Sequence, residues 1–254
     1  KAFWKKAFKM SNENNKRLPH VVLNLESRYL KAKKIECLLE LNSKAELSIL
    51  EVGVGSGGIS YYFAKVSKGQ YKVTAVDVVD SRLIFDGYDF HLVDGVALPF
   101  DCETFDVVIS NHVIEHVGEL DAQILHLREL GRVLKKTGIG YLAVPNRWML
   151  FEPHYKLIFL SWLPKKLRSP YLRFAGKGQF YDCEPLQMHE IEGMFKKTNF
   201  LFKNLCVSAL RLTFELEKKN SVAANLLRYI PNIFLEPLTP IIPTLIYSIK
   251  KSEV

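Results

Sequence analysis

Between residues 51 and 58 the chain reads Glu-Val-Gly-Val-Gly-Ser-Gly-Gly, and carboxylates follow at Asp77 and Asp94. Glycines in such a loop let backbone N–H groups approach a ligand and permit positive φ. A helix starting just beyond presents its N-terminus to anionic groups. Two readings compete. Gly53, Gly55 and Gly58 fit the dinucleotide pattern G-x-G-x-x-G, with Asp77 about twenty residues on. Gly53, Gly55 and Gly57 equally fit E-x-G-x-G-x-G. Three features favour the second. Glu51 would repel a pyrophosphate but suits a ligand bearing an ammonium group. A helical pattern precedes the first strand, where a dinucleotide domain opens on the strand itself. Acidic residues then recur at strand ends: Asp77 can take two ribose hydroxyls, and Asp94 can accept from an adenine amino group. As plain structure, Asp77 would be a helix cap and Asp94 a turn residue before Gly95.

The elements that must position these groups alternate. Apolar residues recur at helical spacing over Leu23–Leu41. Strands are expected at Leu47–Val52, Tyr71–Val76, Phe90–Val93, Phe105–Ser110 and Ile139–Val144. Helices are expected through Ile59–Val66 and Leu120–Leu134, the latter ended by Gly138. Later come a helix near Pro185–Thr198, possible strands over Phe200–Phe214 and Pro243–Lys250, and a helix around Val222–Tyr229 between them. Strand–helix alternation implies an α/β fold with a mostly parallel sheet, helices on both faces and right-handed crossovers. All strand C-terminal ends then share one edge, where ligands bind.

That edge should also hold histidines. His112-Val-Ile-Glu115-His116 reads H-x-x-E-H, a zinc-peptidase pattern. It requires a long helix to put both imidazoles on one face, whereas here it follows a strand directly, so no metal site is expected. His116 is instead a candidate general base for a hydroxyl. His154, in a stretch that breaks the strand–helix rhythm, is the second candidate; its plain alternative is a solvated loop histidine. This irregular insertion, about 146–185, is basic and aromatic. Residues 147–177 carry seven Lys and Arg against Glu152 alone, with Trp148 and Trp162 among many aliphatic residues. Tryptophan with Lys and Arg is an interfacial signature, although an ordinary lid burying a greasy substrate would look the same.

Charge is unevenly placed. The chain holds 35 basic and 27 acidic side chains, a net of +8. Ten of the basic and two of the acidic residues lie in 1–34, so the remainder is neutral. A basic arm over 1–22, with Trp4 and Phe8 on one side of a lysine-rich helix pattern, is thus expected to precede a single domain over 23–254. A neutral body argues against a nucleic-acid binder. Lysines break the apolar pairs of 1–9, so no secretory segment is expected there. The first residue is Lys1 rather than Met, and the natural start is expected upstream. No apolar run reaches the ~18 residues of a spanning helix. The four cysteines form no CxxC, which fits a reducing, cytoplasmic setting.

Taken together, Glu51 with its glycines, Asp77, the Asp94-Gly-Val-Ala-Leu-Pro-Phe segment and the stretch from Phe105 to Val117 resemble class I S-adenosylmethionine-dependent methyltransferases. The likeness is to the type-11 group, which includes ubiquinone- and menaquinone-pathway and sugar methyltransferases. It covers about residues 23–145 well and the rest loosely. The resemblance implies a Rossmann-like, seven-stranded sheet with an antiparallel last strand, and S-adenosyl-L-methionine as cofactor. It further implies that Glu51, Gly53, Gly55 and Gly57 hold the methionine part and Asp77 the ribose. Asp94 and Gly95 would flank the adenine, Asn111 would line the pocket, and Arg28 would reach the cofactor carboxylate. The expected reaction is O-methylation of a small-molecule, glycan or lipid-linked acceptor, with docking to an anionic membrane surface at its inner face. The rivals are an NAD-dependent oxidoreductase and a methyltransferase-like assembly module without catalysis.

Overall fold

The computed structural model describes residues 24–41, 45–152, 155–181, 183–217 and 221–252. The basic arm and His154 lie outside them. Helix α1 (Leu25–Leu38) begins where the Asn24 side chain accepts from the Ser27 N–H at 3.1 Å. It buries Ala32 and Ile35 against the sheet. Strand β1 (Glu46–Val52) runs into the glycine loop, and α2 (Gly58–Tyr61) leaves it, continuing as a π-helical turn over Tyr62–Val66. Then come β2 (Gln70–Asp77), β3 (Asp89–Leu92), β4 (Phe105–Asn111), α3 (Leu120–Val133) and β5 (Leu134–Pro145). The near-continuous burial of β1, β2, β4 and β5 marks strands covered on both faces, which is what a parallel sheet between helix layers demands.

After Pro145 the chain makes an excursion. It contains a short hairpin of β6 (Phe151–Glu152) with β7 (Leu157–Ile158), and helix α4 (Lys165–Phe174). Helix α5 (Met188–Lys197) and β8 (Phe200–Asn204) resume the fold. Helices α6 (Cys206–Glu217), α7 (Val222–Tyr229) and the short α8 (Asn232–Leu235) lead to β9 (Thr244–Lys251). The sheet has seven strands in the order β3-β2-β1-β4-β5-β9-β8. The last strand in sequence, β9, is antiparallel and wedged between β5 and β8. The Rossmann-like sheet with an antiparallel final strand is therefore present.

Two expectations about elements are corrected. Phe200–Phe214 is not one strand: it pairs only to Asn204 and then becomes α6. The Asn204 side-chain oxygen takes the Cys206 N–H at 2.9 Å and starts the helix, and a short apolar run does not by itself separate strand from helix. Gly138 does not end a helix. It lies inside β5, where an added Cβ would stand 2.9 Å from the Asp106 carbonyl oxygen.

Candidate functional site

The site forms where β1, β2, β3, β4 and β5 end. Glu51, one residue before the end of β1, is 2% exposed and accepts from the Ser60 hydroxyl on α2. Burial raises its pKa to about 8, against the opposing pull of the Ser60 hydrogen bonds and the nearby Arg28 guanidinium. A buried carboxyl in that state lacks a full counter-charge. Arg28 on α1 lies near enough to act on it electrostatically, and Gly58 leaves room for Arg28: a Cβ on Gly58 would lie 2.6 Å from that of Arg28. The Arg28 Nε is buried without a hydrogen-bond partner, and burial lowers the pKa of this guanidinium.

The loop between β1 and α2 is held open by backbone geometry that only glycine adopts cheaply. Gly53 has φ +80° and Gly57 +83°, and a Cβ at Gly57 would stand 2.7 Å from the Ile84 carbonyl. Gly55 has φ +51° and open space before it. Its N–H donates to Asp77 Oδ2 at 3.0 Å, while Asp77 Oδ1 accepts from the Val78 N–H at 2.8 Å. The acid thus clamps the glycine loop to the end of β2. Asp94 is brought beside it by the parallel β2–β3 pair, extended when the Val93 N–H donates to the Asp77 carbonyl at 3.0 Å. Asp94 and Gly95 are exposed, and Gly95 has φ +74°. The loop beyond is pinned by Arg132, which donates to the carbonyls of Leu98 at 2.8 Å and Phe100 at 2.6 Å. Exposed Val78 and Val79 offer an apolar edge next to the Asp77 carboxylate.

Asn111 closes β4, buried, with Oδ1 unpartnered. His112 follows with φ +60°, its N–H on the Ala143 carbonyl at 2.9 Å. Residues 112–116 form a turn rather than a helix, so the two imidazoles do not share a helical face. They share a carboxylate instead. Glu115 is fully buried; its Oε1 lies 3.2 Å from His112 Nδ1 and 4.0 Å from His116 Nε2. A carboxylate on Nδ1 fixes the tautomer and leaves Nε2 as the basic nitrogen. Sequence reasoning singled out His116 and treated His112 only as a metal ligand; the His112–Glu115 contact is a three-dimensional fact with no separate sequence signal. His126, without signal in the sequence, lies buried under the site with Nε2 3.0 Å from the Ser110 hydroxyl. Burial lowers its pKa to about 4.

The excursion after β5 rises beside this edge. Glu184 N–H donates to the Glu115 carbonyl at 3.0 Å, and Cys183 Sγ stands 4.0 Å from His116 Nε2. A small core of Leu160, Leu172, Tyr181 and Cys183 supports it. Its outer side exposes Leu150, Phe151, Ile158, Phe159 and Trp162. Asn146 bolts its base to the segment before β9, donating to the carbonyls of Pro240 at 2.7 Å and Ile242 at 2.8 Å. That segment is itself apolar and exposed at Ile233, Phe234 and Ile241.

Three of the unpartnered buried side-chain atoms, Arg28 Nε, Ser56 Oγ and Asn111 Oδ1, belong to residues around the open glycine loop. With buried Glu51, and with Asp77 and exposed Asp94, they give this edge polar groups of the kind that the amino-acid end, ribose and adenine of S-adenosylmethionine would need.

Comparison with known proteins agrees. Residues 50–142 match a family model described as a methyltransferase domain. The ubiquinone biosynthesis O-methyltransferase of Rickettsia prowazekii is 25% identical over 195 residues, covering 71% of this chain and 70% of that protein. The ubiquinone/menaquinone biosynthesis C-methyltransferase UbiE of Xanthomonas oryzae pv. oryzae is 30% identical over 168 residues, covering 62% and 63%. Among solved structures, a chain from the complex of the Haloferax volcanii Trm112 methyltransferase activator with a methyltransferase superposes with TM-score 0.54. It is 16% identical, with 90% and 92% of the chains covered, and supports the fold alone. By their motifs, sheet and relatives, residues 50–142 agree with a class I S-adenosylmethionine-dependent methyltransferase domain of the type-11 group.

Proposed function

We propose that this chain methylates an oxygen of an apolar, ring-bearing small molecule, with residues 23–254 acting as one catalytic unit. The observation that carries the reading is Glu115 between His112 and His116, immediately after Asn111 at the ligand edge. The bound cofactor supplies an electrophilic methyl on a sulfonium. Glu51 would hold its ammonium, Arg28 its carboxylate and Asp77 its ribose hydroxyls, and Asp94 and Gly95 would flank the base. The glycine loop presents N–H groups and keeps side chains out of the way. Alignment of the acceptor oxygen with the methyl does most of the catalytic work. His112, held by Glu115 at Nδ1, or His116, near the same carboxylate, takes the hydroxyl proton, and a buried carboxylate beside the imidazole stabilises the resulting imidazolium. His154, the second candidate base of the sequence, lies outside the described residues.

The apolar excursion supports a greasy acceptor, and the relatives named for ubiquinone biosynthesis support a quinone-type ring carrying a lipid chain over a free glycan. Among the described residues no helix is long and apolar enough to cross a membrane. The exposed aromatics of 150–162 and 233–241, joined through Asn146, support reversible docking on an anionic leaflet. Co-sedimentation with anionic vesicles tests that docking. Pelleting that weakens at high salt is expected, and no pelleting at low salt refutes it.

The base is tested on turnover with a ring hydroxyl acceptor. Replacing the true base by Ala should lower the rate roughly 10²–10⁴-fold with S-adenosylhomocysteine affinity unchanged. Near-native rates in the alanine variants of His112, His116 and His154 would show that no imidazole serves as base. Cofactor binding without turnover on any hydroxyl acceptor would favour the assembly-module reading.

A further inference from the structure

Beyond the histidines, the excursion holds buried polar groups that the methyl-transfer reading leaves unused. Tyr181 is 6% exposed, and its hydroxyl is buried with no hydrogen-bond partner. Arg147, two residues past the end of β5, has a buried Nε that is likewise unpartnered. Arg168 on α4 is 4% exposed and lies over the Tyr181 ring, 5.8 Å from its centroid. Its Nε donates to the Leu163 carbonyl at 2.9 Å, and the Glu184 carboxylate is 4.0 Å away. That carboxylate sits closer to Lys165, at 2.7 Å. Burial, and then the neighbouring Arg147, work against the Arg168 charge; the Tyr181 oxygen and Glu184 oppose them.

Buried guanidinium groups are expected to be paired, and buried hydroxyls to be bonded. Here two guanidiniums and a phenol lie in the wall whose Cys183 touches His116; among the described residues the acids beside them are Glu184, shared between Arg168 and Lys165, and buried Glu152 near Tyr181. An oxyanion with two or three oxygens would satisfy all of them, since Arg presents a planar fork matched to carboxylate and phosphate.

We propose that Arg147, Arg168 and Tyr181 form an acceptor subsite that binds an anionic group, a carboxylate or a phosphate, on the molecule to be methylated. The subsite rests on the methyltransferase reading, and it adds that the acceptor is an anion rather than a neutral ring. Its oxyanion end lies against the α4 wall while the hydroxyl end faces His112 and His116.

The test is calorimetric titration of the full chain, first with S-adenosylhomocysteine and then, in the loaded protein, with small probes. The probes are 4-hydroxybenzoate, its neutral analogue 4-hydroxybenzamide, and phenyl phosphate. The acid should bind at least about tenfold more tightly than the amide, as expected for a charge-assisted fork. Arg147→Gln should erase most of that preference, and Tyr181→Phe, which keeps the ring volume, should reduce it. Tighter binding of 4-hydroxybenzoate identifies a carboxylate as the recognised group; tighter binding of phenyl phosphate identifies a phosphate. Equal binding of acid and amide, no binding of either anion, or a preference that survives in both variants overturns the subsite. Failure of the wild type to bind S-adenosylhomocysteine would refute the cofactor reading instead, so the two failures are distinct.

Discussion

If Glu51 holds the cofactor ammonium, cofactor binding should release a proton. Its carboxyl is buried at the end of β1, hydrogen-bonded to Ser60, with a pKa near 8 in the ligand-free protein. An ammonium group placed against it stabilises the charged form and lowers that pKa. At pH 7, one unit below, roughly a tenth of the molecules carry the charge, so binding must ionise the rest at about 1.4 kcal/mol. If the bound pKa falls below 6, affinity for S-adenosylhomocysteine should rise about tenfold from pH 6 to 7. It should rise about fivefold more to pH 8 and then level off. The amino group of this ligand, like that of a free amino acid, stays protonated through this range. Isothermal titration at pH 7 in buffers of different ionisation enthalpy should show close to one proton released per ligand bound. In Glu51→Gln both the pH dependence and the released proton should vanish. The same substitution should stabilise the ligand-free chain at pH 8.5. The wild-type carboxyl, with its folded pKa raised, favours the fold most below the unfolded pKa and loses that contribution as pH climbs through about 8. A wild type that takes up ligand with no proton release would refute the argument, as would a Gln variant with the same pH profile.

Asp77→Ala should weaken S-adenosylhomocysteine at least tenfold in calorimetry, since charge-assisted hydrogen bonds to two hydroxyls are worth about 1.5–3 kcal/mol each. Because Asp77 also holds the Gly55 and Val78 N–H groups, the loop should exchange its amide hydrogens faster in the same variant. His126 predicts an acid limb. Its folded pKa near 4 lies below the usual 6.5, so the stability tied to its neutral form is complete above 6.5 and is lost as pH falls toward 4. The loss is about 3 kcal/mol. Denaturant unfolding at pH 7 and 4.5 should show a shallower acid loss in His126→Gln than in the wild type, and equal slopes would count against it.

The chemistry of the cofactor end was legible in the sequence because it is local. Glu51 and the glycines are consecutive, and Asp77 and Asp94 each follow the strand that carries them, so parallel order alone brings them to one edge. Tight turns demand glycine at Gly53 and Gly57 whatever the rest of the chain does. The same locality made β1, β2, β4 and β5 readable, since strands buried on both faces are unbroken apolar runs. Where local pattern was ambiguous, tertiary context decided. Residues after Asn204 are apolar enough for either element, and only a side-chain cap and the α1 surface made them a helix. Gly138 reads as punctuation in one dimension and as a close backbone approach to Asp106 in three.

The acceptor end depended on the tertiary structure throughout. Glu115 could be matched with His112 and His116 only once the turn after β4 was known, because on a helix the same spacing would have oriented them otherwise. Arg147, Arg168 and Tyr181 are separated by 21 and 13 positions in the chain, within a stretch that carries no period. Nothing about their spacing signals an encounter. The sequence by itself determined the cofactor chemistry, since those groups sit at strand ends in the order the sheet must adopt. The folded excursion decided which buried polar groups meet, since long-range packing sets their partners and spacing along the chain does not.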